Sequence, residues 1–135
     1  MIKLLIGVKG TGKTKTLIEE TNQALADSKG YVVCLERGTK LRSNINYQVR
    51  LINTDDYLID DASALGGMVS GIIAGNSDVT DLFVDSALKI CGNDVAAFDA
   101  FLLDLEKITA NNPVKILMTA SIAAEDASET MKKFL

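Results

Sequence analysis

Short, nearly unbroken apolar runs alternate along this chain with stretches whose apolar residues recur at helical spacing. Ile2–Ile6, Tyr31–Leu35, Val79–Val84 and Val114–Met118 are of strand length, and each carries two or more β-branched residues, which predicts buried strands. From Lys13 to Ala26, Leu17, Ile18, Thr21, Ala24 and Leu25 recur on one face and predict a helix. A second stripe, Val95, Phe98, Phe101, Leu102, Leu105 and Ile108, begins after a capping Asp94 and stops before Asn111-Asn112-Pro113. Asp61 to Gly75 reads as a helix rich in small residues, and Thr54 with Asp55 and Asp56 as a helix start. Asp126 and Glu129 have the spacing of a capping box for a short last helix. Ile45, Tyr47, Val49 and Leu51 alternate with Asn44, Asn46, Gln48 and Arg50, the period of a strand buried on one face. It is expected at a sheet edge, running antiparallel. The alternation predicts one domain over residues 1–135, a three-layer αβα sandwich with a mainly parallel sheet of about five strands.

The first strand runs directly into Gly7-Val8-Lys9-Gly10-Thr11-Gly12-Lys13-Thr14, which fits G-x-x-x-x-G-K-[ST] at every required position. Glycines let successive N–H groups turn into one concavity, and the helix that follows aims its positive end at the same point, so an anion is what fits. Lys13 would meet β- and γ-phosphates as a point charge, and the Thr14 hydroxyl would take one position on Mg²⁺. Asp85 ends the apolar run from Val79, where a carboxylate would stand beside the loop and hold the same metal.

These residues resemble those of P-loop nucleoside triphosphatases, in the Gly-x-x-Gly-x-Gly-Lys-Thr form of AAA+ and RecA-like ATPases. The whole chain is similar to small stand-alone ATP-binding proteins often labelled twitching-motility ATPases. The resemblance implies the P-loop NTPase fold, with the last strand between the loop strand and the Asp85 strand. It implies ATP and Mg²⁺ as cofactors, Gly7, Gly10, Thr11, Gly12, Lys13, Thr14 and Lys15 around the phosphates, Thr14 and Asp85 on the metal, and Lys13 in catalysis. Thr119 or Ser121, near the tip of the last strand, would sense the γ-phosphate. Many relatives carry a glutamate general base directly after the metal aspartate; Ser86 stands there, and Glu36, at the tip of the second strand, is the nearest stand-in. Val8 stands five residues before Lys13, where the ParA group has its signature lysine, so that group's trans-lysine mechanism is not expected.

Composition narrows the alternatives. The chain has no histidine, which excludes Ser-His, Cys-His and histidine-ligated metal chemistry. Its two cysteines, Cys34 and Cys91, form no C-x-x-C pair and fit a reducing cytoplasm. No apolar run reaches the roughly 18 residues of a membrane helix, and the first strand begins at once, so neither a membrane span nor a leader is expected. A formal net charge of −4 argues against a surface built throughout for nucleic acid. Against that background Arg37, Lys40, Arg42 and Arg50, all the arginines of the chain, fall in one segment without an acid. They are an ordinary solvated loop or a contact for phosphate: a nucleic-acid backbone, a second substrate, or an arginine finger. Gly67, Gly71 and Gly75 recur every four residues, for close packing on the sheet or for self-association. Three functions remain open: a slow or partner-activated ATPase serving as a switch or small motor subunit, a nucleoside or nucleotide kinase, and a non-catalytic nucleotide-sensing module. ATP is favoured over GTP because no Asn-Lys-x-Asp guanine-reading motif occurs.

Overall fold

The computed structural model describes residues 1–135. Its five strands are β1 (Ile2–Gly7), β2 (Tyr31–Glu36), β3 (Arg50–Asn53), β4 (Val79–Val84) and β5 (Lys115–Ser121). They form one sheet in the order β1-β5-β4-β2-β3, and every neighbouring pair is parallel. The last strand thus lies between β1 and β4. Parallel neighbours need a crossover. Helix α1 (Lys13–Asp27) joins β1 to β2, α2 (Ala62–Gly75) joins β3 to β4, and α3 (Ala87–Ile90) with α4 (Val95–Ala110) joins β4 to β5. A short α5 (Glu129–Lys132) follows β5. Asp61 and Asp94 start α2 and α4 by accepting the N–H groups of Ala64 and Ala97 at 2.7 and 3.0 Å.

The two faces of the sheet are covered unequally. Alternate strand residues such as Val33, Leu35, Leu82, Val84, Ile116 and Met118 join the apolar stripes of α2 and α4 in a core of 25 buried residues. The opposite residues, Val32, Cys34 and Phe83, meet Leu17 of α1 in a cluster of only 7. One helix cannot roof five strands. The connection from β2 to β3 completes the cover with Leu41, Ile45 and Val49, all buried.

That connection corrects the expectation of an antiparallel edge strand over 45–51. Strand β3 begins only at Arg50 and runs parallel to β2. The residues before it form turns, with Asn44 and Ile45 N–H both donating to the Leu41 carbonyl. Leu41, Ile45 and Val49 recur every four residues, and Tyr47, which a half-buried strand would have turned inward with Ile45, is 91% exposed. Three further local expectations shift. Asn53 rather than Thr54 caps the 3₁₀ turn Thr54–Tyr57, and Ser128 rather than Asp126 caps α5. Gly67, Gly71 and Gly75 lie exposed, with nothing within 4 Å of where a Cβ would stand, so their spacing does not serve packing on the sheet. No helix is long and apolar enough to cross a membrane.

Candidate functional site

The residues singled out by spacing converge at the carboxyl ends of β1, β5 and β4. Strand β1 ends at Gly7, whose φ of 150° and close approach to Thr11 both require glycine: an added Cβ would stand 2.6 Å from Thr11 Oγ1. Gly10 and Gly12 follow with φ near 89° and 85°, left-handed conformations that fold the backbone back toward the start of α1. Gly12 occupies the cap position of that helix and has no side chain to satisfy its amides. None of the N–H groups from Gly10 through Lys15 donates to a main-chain or side-chain acceptor. They form a cluster of free donors at the positive end of a 15-residue helix.

Lys13 rests on this loop. Its ammonium donates to the Val8 carbonyl at 3.0 Å, and the Thr11 hydroxyl donates to the same oxygen at 2.8 Å. The cation is thereby held over the concavity by a weak neutral acceptor, which a phosphate oxygen would outcompete.

Asp85 is the hub across the cleft. It directly follows β4, is 8% exposed, and through Oδ1 accepts the Thr14 hydroxyl at 3.1 Å and the Thr119 hydroxyl at 2.8 Å. The strand order explains the meeting: Thr14 comes from the loop of β1, Asp85 from β4, and Thr119 from β5 between them. Thr119 in turn accepts the Ser86 N–H at 2.7 Å, fixing Ser86 in a left-handed conformation with φ 56°. Such a backbone persists where its surroundings determine it, here directly after the hub carboxylate. The structure brings together Gly7, Gly10, Thr11, Gly12, Lys13, Thr14, Asp85 and Thr119. Lys15 lies on the exposed first turn of α1, and Ser121 pairs in register with Gly7.

Glu36 ends β2 and is only 3% exposed, with both carboxylate oxygens facing the Leu41 N–H at 3.0 and 3.2 Å. Burial raises its pKa, and the nearby Asp85 charge adds to that, against the lowering effect of the Leu41 N–H. Cys34, two residues earlier on the same face, has its thiol pushed up to about 12, first by burial and then by Asp85 and Glu36, and is no nucleophile. The four clustered cations separate: Arg37 pairs with Asp55 at 3.3 Å, Lys40 lies near Glu36, and Arg42 and Arg50 face a groove beside β3. Sequence reasoning missed the Thr119 to Asp85 bond and the Glu36 to Leu41 bond. Both join residues distant in pattern, and only the strand order or a turn's shape reveals them.

No cluster of three or more acidic or cysteine side chains forms an all-protein metal site. The donor set of Thr14 and Asp85 instead suits a small hard cation that keeps most of its shell as water and phosphate oxygen.

No protein-family description matches the chain, and no curated protein sequence does. Among solved structures it is similar to that of C. elegans PCH-2, at a TM-score of 0.54 and 16% identity. The match covers 97% of this chain and 32% of PCH-2, so the chain spans about a third of that protein's length. The likeness is one of fold: an α/β chain with an all-parallel five-stranded sheet between helical layers.

Proposed function

We propose that this chain binds Mg²⁺-ATP in the concavity of residues 7–14 and works as a slow or partner-activated ATPase switch. The observation that carries the reading is the cluster of free amides from Gly10 to Lys15 in the loop on which the Lys13 ammonium rests, with Thr14 and Asp85 joined across the cleft. Oxygen-rich anions satisfy free N–H groups at a helix start, and a polyphosphate spans the distance between several of them. The fold likeness to PCH-2 is compatible with this reading at the level of architecture.

In this reading Lys13 leaves the Val8 carbonyl for the phosphate chain, and the amides of the loop orient that chain without moving. Thr14 and Asp85 would hold Mg²⁺, which when bound supplies positive charge beside the phosphates. Thr119 keeps the Asp85 carboxylate aimed at the loop. Slow turnover follows from what surrounds the cleft. Ser86 offers no base, and Glu36 has its oxygens on the Leu41 N–H. Glu36 could take a proton from water only after the 37–49 connection releases it, which is a natural point for a partner to act.

Titration calorimetry with Mg²⁺-ATP tests the reading. Wild type is expected to bind, and Lys13→Ala to bind about 10- to 100-fold more weakly, the worth of a lost charge-assisted contact. Absence of binding by wild type at millimolar ATP overturns it.

A further inference from the structure

The aromatic residues of this protein are sorted without exception. All four phenylalanines, Phe83, Phe98, Phe101 and Phe134, are buried, and there is no tryptophan. All three tyrosines are exposed, Tyr31 by 58%, Tyr47 by 91% and Tyr57 by 53%, and all three line one groove of about 940 Å³ along the outer edge of β3. Every ring this protein offers to solvent is therefore in one place.

The same groove takes Arg42 and Arg50, neither of which has an ion-pair partner, against a single acid, Asp56. In a chain of net charge −4 this is a local reversal of sign. Two α2 glycines, Gly71 and Gly75, form the opposite wall and leave it open, with nothing near the position of a Cβ. The groove is separate from the loop of residues 7–14: β3 is four strand spacings from β1, roughly 19 Å at the usual distance between strands.

We propose that this groove binds single-stranded nucleic acid, with unpaired bases stacking on the tyrosines and the phosphate backbone meeting Arg42 and Arg50. Exposed aromatic faces interleaved with unpartnered arginines are what a single strand requires, because every base has a face to stack and every link carries a charge. A duplex hides its base faces and fits less well. Pairing of β3 with a second copy of this chain is disfavoured, because the strand is only 4 residues long. The inference goes beyond the nucleotide reading and does not depend on it.

Fluorescence anisotropy with labelled oligothymidine and oligouridine of about 16 nucleotides, the upper range of single-strand site sizes, tests it. Both are expected to bind at about 50 mM salt and to weaken toward 200 mM, and a duplex of equal length to bind less tightly. Tyr47→Ala with Tyr57→Ala should weaken binding about 10-fold or more, with an unchanged thermal melt since both side chains are exposed. Arg42→Ala and Arg50→Ala should each flatten the salt slope by about 0.7. Lys13→Ala, which weakens nucleotide binding, should leave oligomer binding intact, so failure of either reading is seen separately. The proposal is overturned if neither oligomer binds at the lower salt, if the double tyrosine variant binds as wild type does, or if sedimentation shows a dimer that the tyrosine substitutions return to monomer.

Discussion

Glu36 is the residue whose surroundings most constrain its chemistry. Buried at the tip of β2 and sharing one N–H donor between two oxygens, it holds a proton more tightly in the folded chain than in the unfolded one. Its folded pKa is raised, so its stabilising contribution is full below the ordinary carboxylate value and is lost as pH rises through the folded value. Glu36→Gln keeps an oxygen for Leu41 but cannot titrate. Urea midpoints measured upward from about pH 4 should therefore fall less steeply for the variant than for wild type, and parallel slopes would refute the assignment. At this scale the sequence was legible where chemistry fixes spacing. Lys13 and Thr14 must sit where they do for the loop to close around an anion, and Asp85 ends an apolar run. The Thr119 hydroxyl was legible only as a polar residue near a strand tip. Its bond to Asp85 depends on β5 lying beside β4, which no local pattern encodes.

Among the elements, α2 and the turn before β2 show glycine in opposite circumstances. Gly67 is exposed on α2 with free space around it, and there it only weakens the helix. Gly67→Ala should raise stability by up to about 1 kcal/mol. Gly30 lies against the Asp78 carbonyl, which accepts the Tyr31 N–H at 2.8 Å and anchors β2 to the start of β4. An added Cβ would strike that carbonyl, backbone that cannot swing aside, and crowd the Thr80 methyl, so Gly30→Ala should cost about 1–3 kcal/mol. Denaturant unfolding of the two variants checks both signs, and a loss at Gly67 or a gain at Gly30 contradicts the packing described. The three long helices were readable from periodicity and four of the strands from unbroken apolar runs, whereas the single turn of α3, Ala87–Ile90, is too short to show a period. The 37–49 connection was not, because Ile45 and Val49 satisfy period two and period four alike. The exposure of Tyr47, which period two would turn inward and period four leaves outside, decides between them.

At the level of the whole molecule, β1 carries the phosphate-facing loop yet sits at the margin of the sheet, with β5 on one side only. Its other side is held by the end of the chain, where the Leu4 N–H donates to the Phe134 carbonyl at 2.8 Å. Met131, wholly buried, and Phe134 seat that segment in the main core. Met131→Ala and Leu105→Ala both empty core volume and should each cost about 2–5 kcal/mol. Only the first loosens the support of β1, so it should weaken Mg²⁺-ATP binding more; equal effects on calorimetric affinity would separate the tail from the loop. The layered sandwich was legible from the alternation of elements, and the place of β5 only from the family resemblance, since strand order is set by long-range packing. The tail is also a guard. If warming peels Met131 and Phe134 away first, the main chain of Ile2, Leu4 and Ile6 is bared as a template for a stray strand. Clumping rather than clean melting would then be the earliest sign that this protein is failing.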